Sequence, residues 1–377
     1  MLIPEELRVK ARELAGRIPY QLIKDSPTVK YYTQWSLFDN CVESSNGNSP
    51  PPPIELNEYD LVVHNGLLVK GSELTSNDAA TGIDPSESRI IARHFVNVRE
   101  IQSLRIGNSS DSSVKVMMSY SGESNEMHSN HVIINVDEGA LANVFLSIIG
   151  NGGCGTNITE LNIGDGAVVN LLVYSVNVDP AFNLIRVNEG VKAMVNSYSI
   201  IVNGKMTHHR EDYVLQGRES SVNVNSLEVG SGSSRLDYMV NLMHYGENSI
   251  SNSITRAIAL DSATVIHRGF GRISEHGKWS STNIEGKVFI GSSNAVGMSV
   301  PVIMVDTGDV NGARHSASDA SLDEEQELYL RMRGLSREEA IKLIVYDMVM
   351  GFLDNINGEF TSSVKYIRSS LLKLLRI

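Results

Sequence analysis

The chain has 377 residues, with 44 acidic against 32 basic side chains and a formal charge of −12, a balance that argues against broad electrostatic binding of nucleic acid, which needs a basic face. A hydrophobic content of 41% suffices for a sizeable core and excludes wholesale disorder, while the length predicts two or three structural units. The two cysteines, Cys41 and Cys154, are too few for a disulfide framework or, by themselves, for a four-thiolate metal site.

The segment from Met1 to Ile18 mixes charges with apolar residues and lacks the uninterrupted apolar run of a secretory leader. Nothing in the chain approaches the roughly 18 apolar residues of a membrane span, so the expectation is a cytoplasmic protein that meets neither membrane nor nucleic acid. The first zone, to about residue 85, opens with a helix expected after Pro4, where Leu7, Ala11 and Leu14 recur at helical spacing. Pro50 to Pro53 read as a stiff polyproline connector. Leu61-Val62-Val63 and Leu67-Leu68-Val69 read as strands, with Asn65-Gly66 between them as a hairpin turn.

The middle zone, about 86 to 318, alternates short β-prone runs with small turns, for example Val168–Val176, Ala193–Val202, Val222–Val229 and Val302–Val305. Related turns recur at Asp137-Glu-Gly139-Ala, Gly164-Asp-Gly166-Ala and Asn188-Glu-Gly190-Val, so that Gly139, Gly166 and Gly190 follow one another at similar intervals. A repeat of about 20–45 residues suits a solenoid whose coils contact only their neighbours. Glycine would take positive φ at each corner, and the small residue after it would permit tight stacking. Aliphatic strands buried on one face would also explain an aromatic content of 6%. An antiparallel sandwich uses the same ingredients and stays open as an alternative.

The third zone, about 319 to 377, is helical. Leu322 to Arg333 carries acid near its start and arginine near its end, as the helix dipole favours, and Gly334 is placed to end it. Ser336 and Glu339 predict a capping box for a second helix, with Ala340, Leu343, Ile344, Met348 and Phe352 as its apolar stripe. A last helix near Phe360–Leu375 places Val364, Ile367, Leu371 and Leu374 on one face.

The chain has no phosphate loop, dinucleotide fingerprint, nucleophile elbow or His-Glu-x-x-His motif. His208-His209 resemble metal ligands at first sight, but neighbours on a strand point to opposite faces. With Arg210-Glu211-Asp212 following, a solvated polar rung is the expectation. His267 and His276 are expected at the surface, and Cys154, in Gly152-Gly153-Cys154-Gly155, as a small buried residue at a corner. His315 falls where the β zone gives way to the helical zone, a position from which an imidazole can ligate a metal or move protons.

From His315-Ser-Ala onward, Leu322-Asp-Glu-Glu-Gln, Leu328-Tyr329-Leu330, Arg333-Gly334-Leu335-Ser336 and Glu339-Ala340 resemble, in order, the C-terminal signature of the SufB/SufD family. The resemblance implies a mainly β fold, a right-handed parallel β-helix over about 86–318 with N-terminal (1–85) and C-terminal (319–377) helical segments. It implies a subunit of an iron–sulfur cluster assembly complex, non-catalytic itself, that pairs through its β-helix with a SufB-like paralogue or a second copy. It also implies docking of an ABC-type ATPase, SufC, through the C-terminal helices, here Leu328, Tyr329, Arg333, Gly334, Leu335, Ile344 and Met348. His315 is the residue it assigns to iron or cluster handling and to any metal contact. A transient iron–sulfur cluster belongs to the complex, and the family analogy leaves room for a flavin. The segment Ser281 to Gly291 lacks the cysteine that SufB-type members carry, and Ser316 replaces their acid, so the chain is more SufD-like. Two rivals remain: a homodimeric SufB-like scaffold, and a β-helix enzyme acting on acidic polysaccharide, which would need clustered acids.

Overall fold

The structure, a computed structural model, describes residues 3–21, 25, 31–43, 58–72, 80–107, 112–123, 125–356 and 358–376; the polyproline connector lies outside them. The middle of the chain winds between two sheets, sending one strand to each per coil. One sheet contains β1 (Val42–Glu43), β4 (Ile101–Ile106), β6 (Glu126–Val136), β8 (Cys154–Ile163), β10 (Ala181–Glu189), β12 (Thr207–Leu215), β14 (Arg235–His244), β16 (Thr264–Ile273) and β18 (Val296–Val305). The other contains β2 (Leu61–His64), β3 (Leu67–Lys70), β5 (Ser112–Tyr120), β7 (Leu141–Gly150), β9 (Val168–Val176), β11 (Met194–Val202), β13 (Ser221–Gly230), β15 (Ile250–Ala259), β17 (Ser281–Ile290) and β19 (Gly312–Ser321). Their pairings are parallel apart from the β2–β3 hairpin, whose Asn65 and Gly66 both take positive φ. A parallel β-solenoid therefore stands and the sandwich does not. The strands begin well before residue 86, since β2 pairs with β5 and β1 with β6.

Inward-facing aliphatics such as Val132, Val144, Leu161, Leu171, Val195 and Leu236 fill the space between the sheets. Each contributes roughly 1.5–3 kcal/mol by leaving water. Amide ladders reinforce the stack: Asn130, Asn157 and Asn183 lie in register and pass hydrogen bonds of 2.8 Å from coil to coil.

The corners correct the glycine reading. Positive φ recurs at Gly139, Gly166, Lys192, Glu219, Asn248 and Trp279, each followed by a small buried residue such as Ala140, Ala167, Ala193 or Ser220. Gly190 belongs to a different column, with Gly164, Gly217 and Gly246. There the coils approach so closely that a Cβ on Gly217 would collide with the Gly190 carbonyl. The interval from Gly166 to Gly190 therefore mixed the two columns. In register Val168 pairs with Met194, which makes Lys192 the true successor of Gly166 at that corner.

Both outer sheet faces are covered. Helices α1 (Glu5–Ala15), α2 (Ser36–Asp39) and α3 (Arg89–Asn97) pack against Ile133, Ile158, Phe182 and Leu184 of the first sheet. A disulfide joins Cys41 to Cys154 across this contact, with Cα atoms 6.1 Å apart. Cys154 is buried as expected, but its partner stands 113 residues away, a pairing that two isolated cysteines did not suggest. On the second sheet, α5 (Arg337–Leu353) and α6 (Thr361–Leu375) bury Val345, Val349, Phe352, Ile367 and Leu371 against Tyr174, Ile200, Leu227 and Ile258. The capping box at Ser336 and Glu339 forms as expected. The buried stripe of α5 is Ala340, Val345, Val349, Phe352 and Leu353, while Leu343 points outward.

Candidate functional site

The solenoid ends in an uncovered coil. β18 and β19 each close one end of their sheet, and nearly every residue of β19 is exposed. His315 pairs in register with Ile284, a residue of the interior core. It therefore sits in the inward row of the last coil, where no further coil covers it, and is exposed. Exposed Met298, Val302, Met304 and Val305 on β18 give this end an apolar border. Among the described residues no group of three or more His, Cys, Asp or Glu is arranged to hold a metal ion. His315 therefore belongs to no such group among the described residues and stands as a single exposed imidazole.

The helical appendage exposes a second surface. α4 (Glu324–Met332) buries none of its residues, leaving Leu328 and Tyr329 59% and 57% exposed and Met332 79% exposed. Arg333 lies over the Tyr329 ring, 5.3 Å from its centre. Gly334 takes φ +92°, which lets Leu335 N–H donate back to the Leu330 carbonyl and ends the helix. Arg337 pairs with Glu327 and fixes α4 against α5. Ile344 and Met348 face the other way, half-buried against the core beneath α5, whereas Leu343 and Tyr346 share the exposed side.

The His208–Asp212 run is not a solvated rung. Strand alternation holds, but both faces are covered. On the inward face, His209 Nε2 lies 3.1 Å from Glu211 Oε1, and the Tyr213 and Tyr238 hydroxyls donate to Glu211 Oε2 at 2.9 and 3.0 Å. Burial opposes the Glu211 charge, yet hydrogen bonds led by His209 outweigh it and hold the carboxyl below its usual range.

On the outward face, His208 Nδ1 lies 3.1 Å from Asp237, Thr33 donates to the same carboxylate, and Arg268 bridges Asp237 and Asp25 at 2.7 Å each. Arg186 similarly spans Glu87 and Asp212 at 2.7 and 2.9 Å. Farther along the same covered face, His131 Nε2 meets Glu160 at 2.8 Å, and His94 Nε2 meets His131 at 3.2 Å. His267 is likewise interior, in the row His209–Tyr238–His267, not at the surface; His276 is exposed as expected. The row becomes legible only from the strand register, which sets His209 beside Tyr238 and Tyr238 beside His267 at equal intervals along the chain.

Against known proteins, the family described as "SUF system FeS cluster assembly, SufBD core domain" matches residues 118–348. The iron–sulfur cluster assembly protein SufD of Bacillus subtilis is 30% identical over 145 residues, covering 38% of this chain and 32% of the relative. SufBD family proteins of Staphylococcus saprophyticus and Staphylococcus epidermidis are 25% and 26% identical over 169 residues, covering 45% of this chain and 35% of each relative. The matched stretch thus spans about a third of these relatives' length. Among the described residues no helix is long and apolar enough to cross a membrane.

Proposed function

This chain belongs to the SufBD core family of the SUF iron–sulfur cluster assembly system, and from that premise we propose that it is the SufD-like, non-catalytic subunit of a cytoplasmic assembly complex. The observation that carries the reading is the uncovered last coil with His315 in its inward row. Solenoids normally need a terminal cap for solubility, so an uncapped end whose β18 border exposes Met298, Val302 and Met304 is suited to a partner. That partner is a SufB-like paralogue or, failing one, a second copy of this chain, seated coil to coil.

His315 would then lie at the junction and supply one imidazole ligand to iron or a nascent cluster, with the partner supplying the rest. The exposed Leu328, Tyr329 and Met332 of α4, with Arg333 and the Gly334–Leu335 turn, form the docking face for a SufC-like ATPase. A chain with no phosphate loop of its own fits that division of labour. Ile344 and Met348, half-buried against the core beneath α5, would reach an ATPase only along the edge of this face.

His315→Ala tests the role of the junction. Its side chain is exposed and supports no core packing, so the variant should melt within about 0.5 kcal/mol of the parent and retain both partners. Cluster formation by the reconstituted complex should nevertheless collapse. An undiminished cluster yield with partners bound would sink the assignment.

A further inference from the structure

The solenoid interior carries polar groups that its packing does not satisfy. Glu228 on β13 and His267 on β16 are both fully buried, with Glu228 Oε1 3.4 Å from His267 Nδ1. Among the described residues neither carboxyl oxygen, neither ring nitrogen nor the Ser299 hydroxyl has a hydrogen-bond partner. Gly286 leaves the space that brings Ser299 and His267 together, since a Cβ there would strike both side chains. Five buried polar atoms without partners would each cost about 1–3 kcal/mol. A carboxyl, an imidazole and a hydroxyl at one place supply the two to four polar contacts that an internal water needs.

We propose that the interior at Glu228 and His267 is a hydrated proton-holding site, in which internal water bridges the Glu228 carboxyl, the His267 ring and the Ser299 hydroxyl, and Glu228 stays as the neutral acid. The 3.4 Å separation would suit an ion pair, but the surroundings disfavour one on both sides. Burial pushes Glu228 well above the carboxylate range, and Asp237 and Glu211 push it the same way. Burial also drives His267 down to about 3, with Arg268 adding to the fall. The Tyr238 ring stacks on His267, 5.8 Å between ring centres. The site's ligands are water and one proton, and it is independent of the assignment of His315.

The test is the pH dependence of stability in the full chain. The folded state holds a proton on Glu228 that the unfolded state releases above its ordinary value of 4.5. Stability is therefore lost as pH rises from that value toward the folded pKa. Above pH 4.5 the wild-type unfolding constant should rise with pH relative to Glu228→Gln, approaching about tenfold per pH unit and levelling off only once the folded pKa is passed. Parallel curves would overturn the proton assignment. Glu228→Leu gives the same slope comparison should the glutamine variant fold poorly. Oxygen-17 water relaxation dispersion should show long-lived internal water in the wild type and less of it in Glu228→Leu; equal amplitudes would overturn the hydration.

Discussion

Arg268 lies between two acids from distant parts of the chain, Asp25 near its start and Asp237 within the solenoid. Burial alone would raise the pKa of Asp237, but Arg268 and then His208 outweigh it and hold the carboxyl far below its ordinary value of 3.8. The stabilisation this implies is complete above about pH 4 and fades as acidity increases toward the folded pKa. Arg268→Met keeps most of the side-chain volume and removes the cation, leaving Asp237 charged, buried and short of its main partner. That change should cost about 3–5 kcal/mol at pH 7 and shrink markedly toward pH 3, as followed by urea titration. An equal deficit at both pH values would contradict the role given to Asp237.

The same side chains show where sequence reading ends. Alternation along His208–Asp212 was readable, and so was the conclusion that the two histidines cannot share an ion. The burial of the outward-facing His208 and Asp212 was not, because the covering groups Thr33, Asp25 and Glu87 come from a distant segment with no local signal. His315 was placed at the β-to-helix junction by its neighbours in sequence, yet its exposure followed only from the lack of a coil beyond β19.

Among the elements, the helices were the most legible. The Ser336–Glu339 box and the Gly334 stop are local chemistry, and they formed as written. Which face of α5 is buried was less so: residues 343 and 344 are neighbours on the helix, and only packing against the sheet decided that Leu343 would face out. The corners were legible as turns but misphased, because two glycine columns serve two needs. One tolerates positive φ, which Lys192 and Trp279 also accept; the other admits the neighbouring coil's backbone, which only glycine allows.

α4 is the element whose freedom carries a consequence. Since it buries nothing, Leu328→Asp combined with Tyr329→Asp should leave the melt within about 1 kcal/mol of the parent. Co-purification of the ATPase should fall at least about tenfold, the equivalent of 1.4 kcal/mol. Retention of the ATPase by this variant would move the docking face elsewhere.

Taken whole, the molecule is a stack covered along both flanks and open at one end. Coil length grows along it. One row of the first sheet runs in register through Asn130, Asn157, Asn183 and His209. It continues through Tyr238, His267 and Ser299, and these later members stand farther apart along the chain than the earlier ones. This drift is why a fixed period could not be read from the sequence, and why the parallel β-helix was reached through the family resemblance instead.

The Cys41–Cys154 bond makes the stretch between those residues a closed covalent ring, running from the flank cover through the first coils and back. A single protease cut anywhere between residues 41 and 154 would open the ring without dividing the molecule. Nicked protein should therefore migrate as one species on a non-reducing gel and separate into two fragments once a thiol is added. Fragments that part without reductant would show the ring to be open. While it is closed, chain continuity between the N-terminal cover and the solenoid does not depend on any one peptide bond in that stretch.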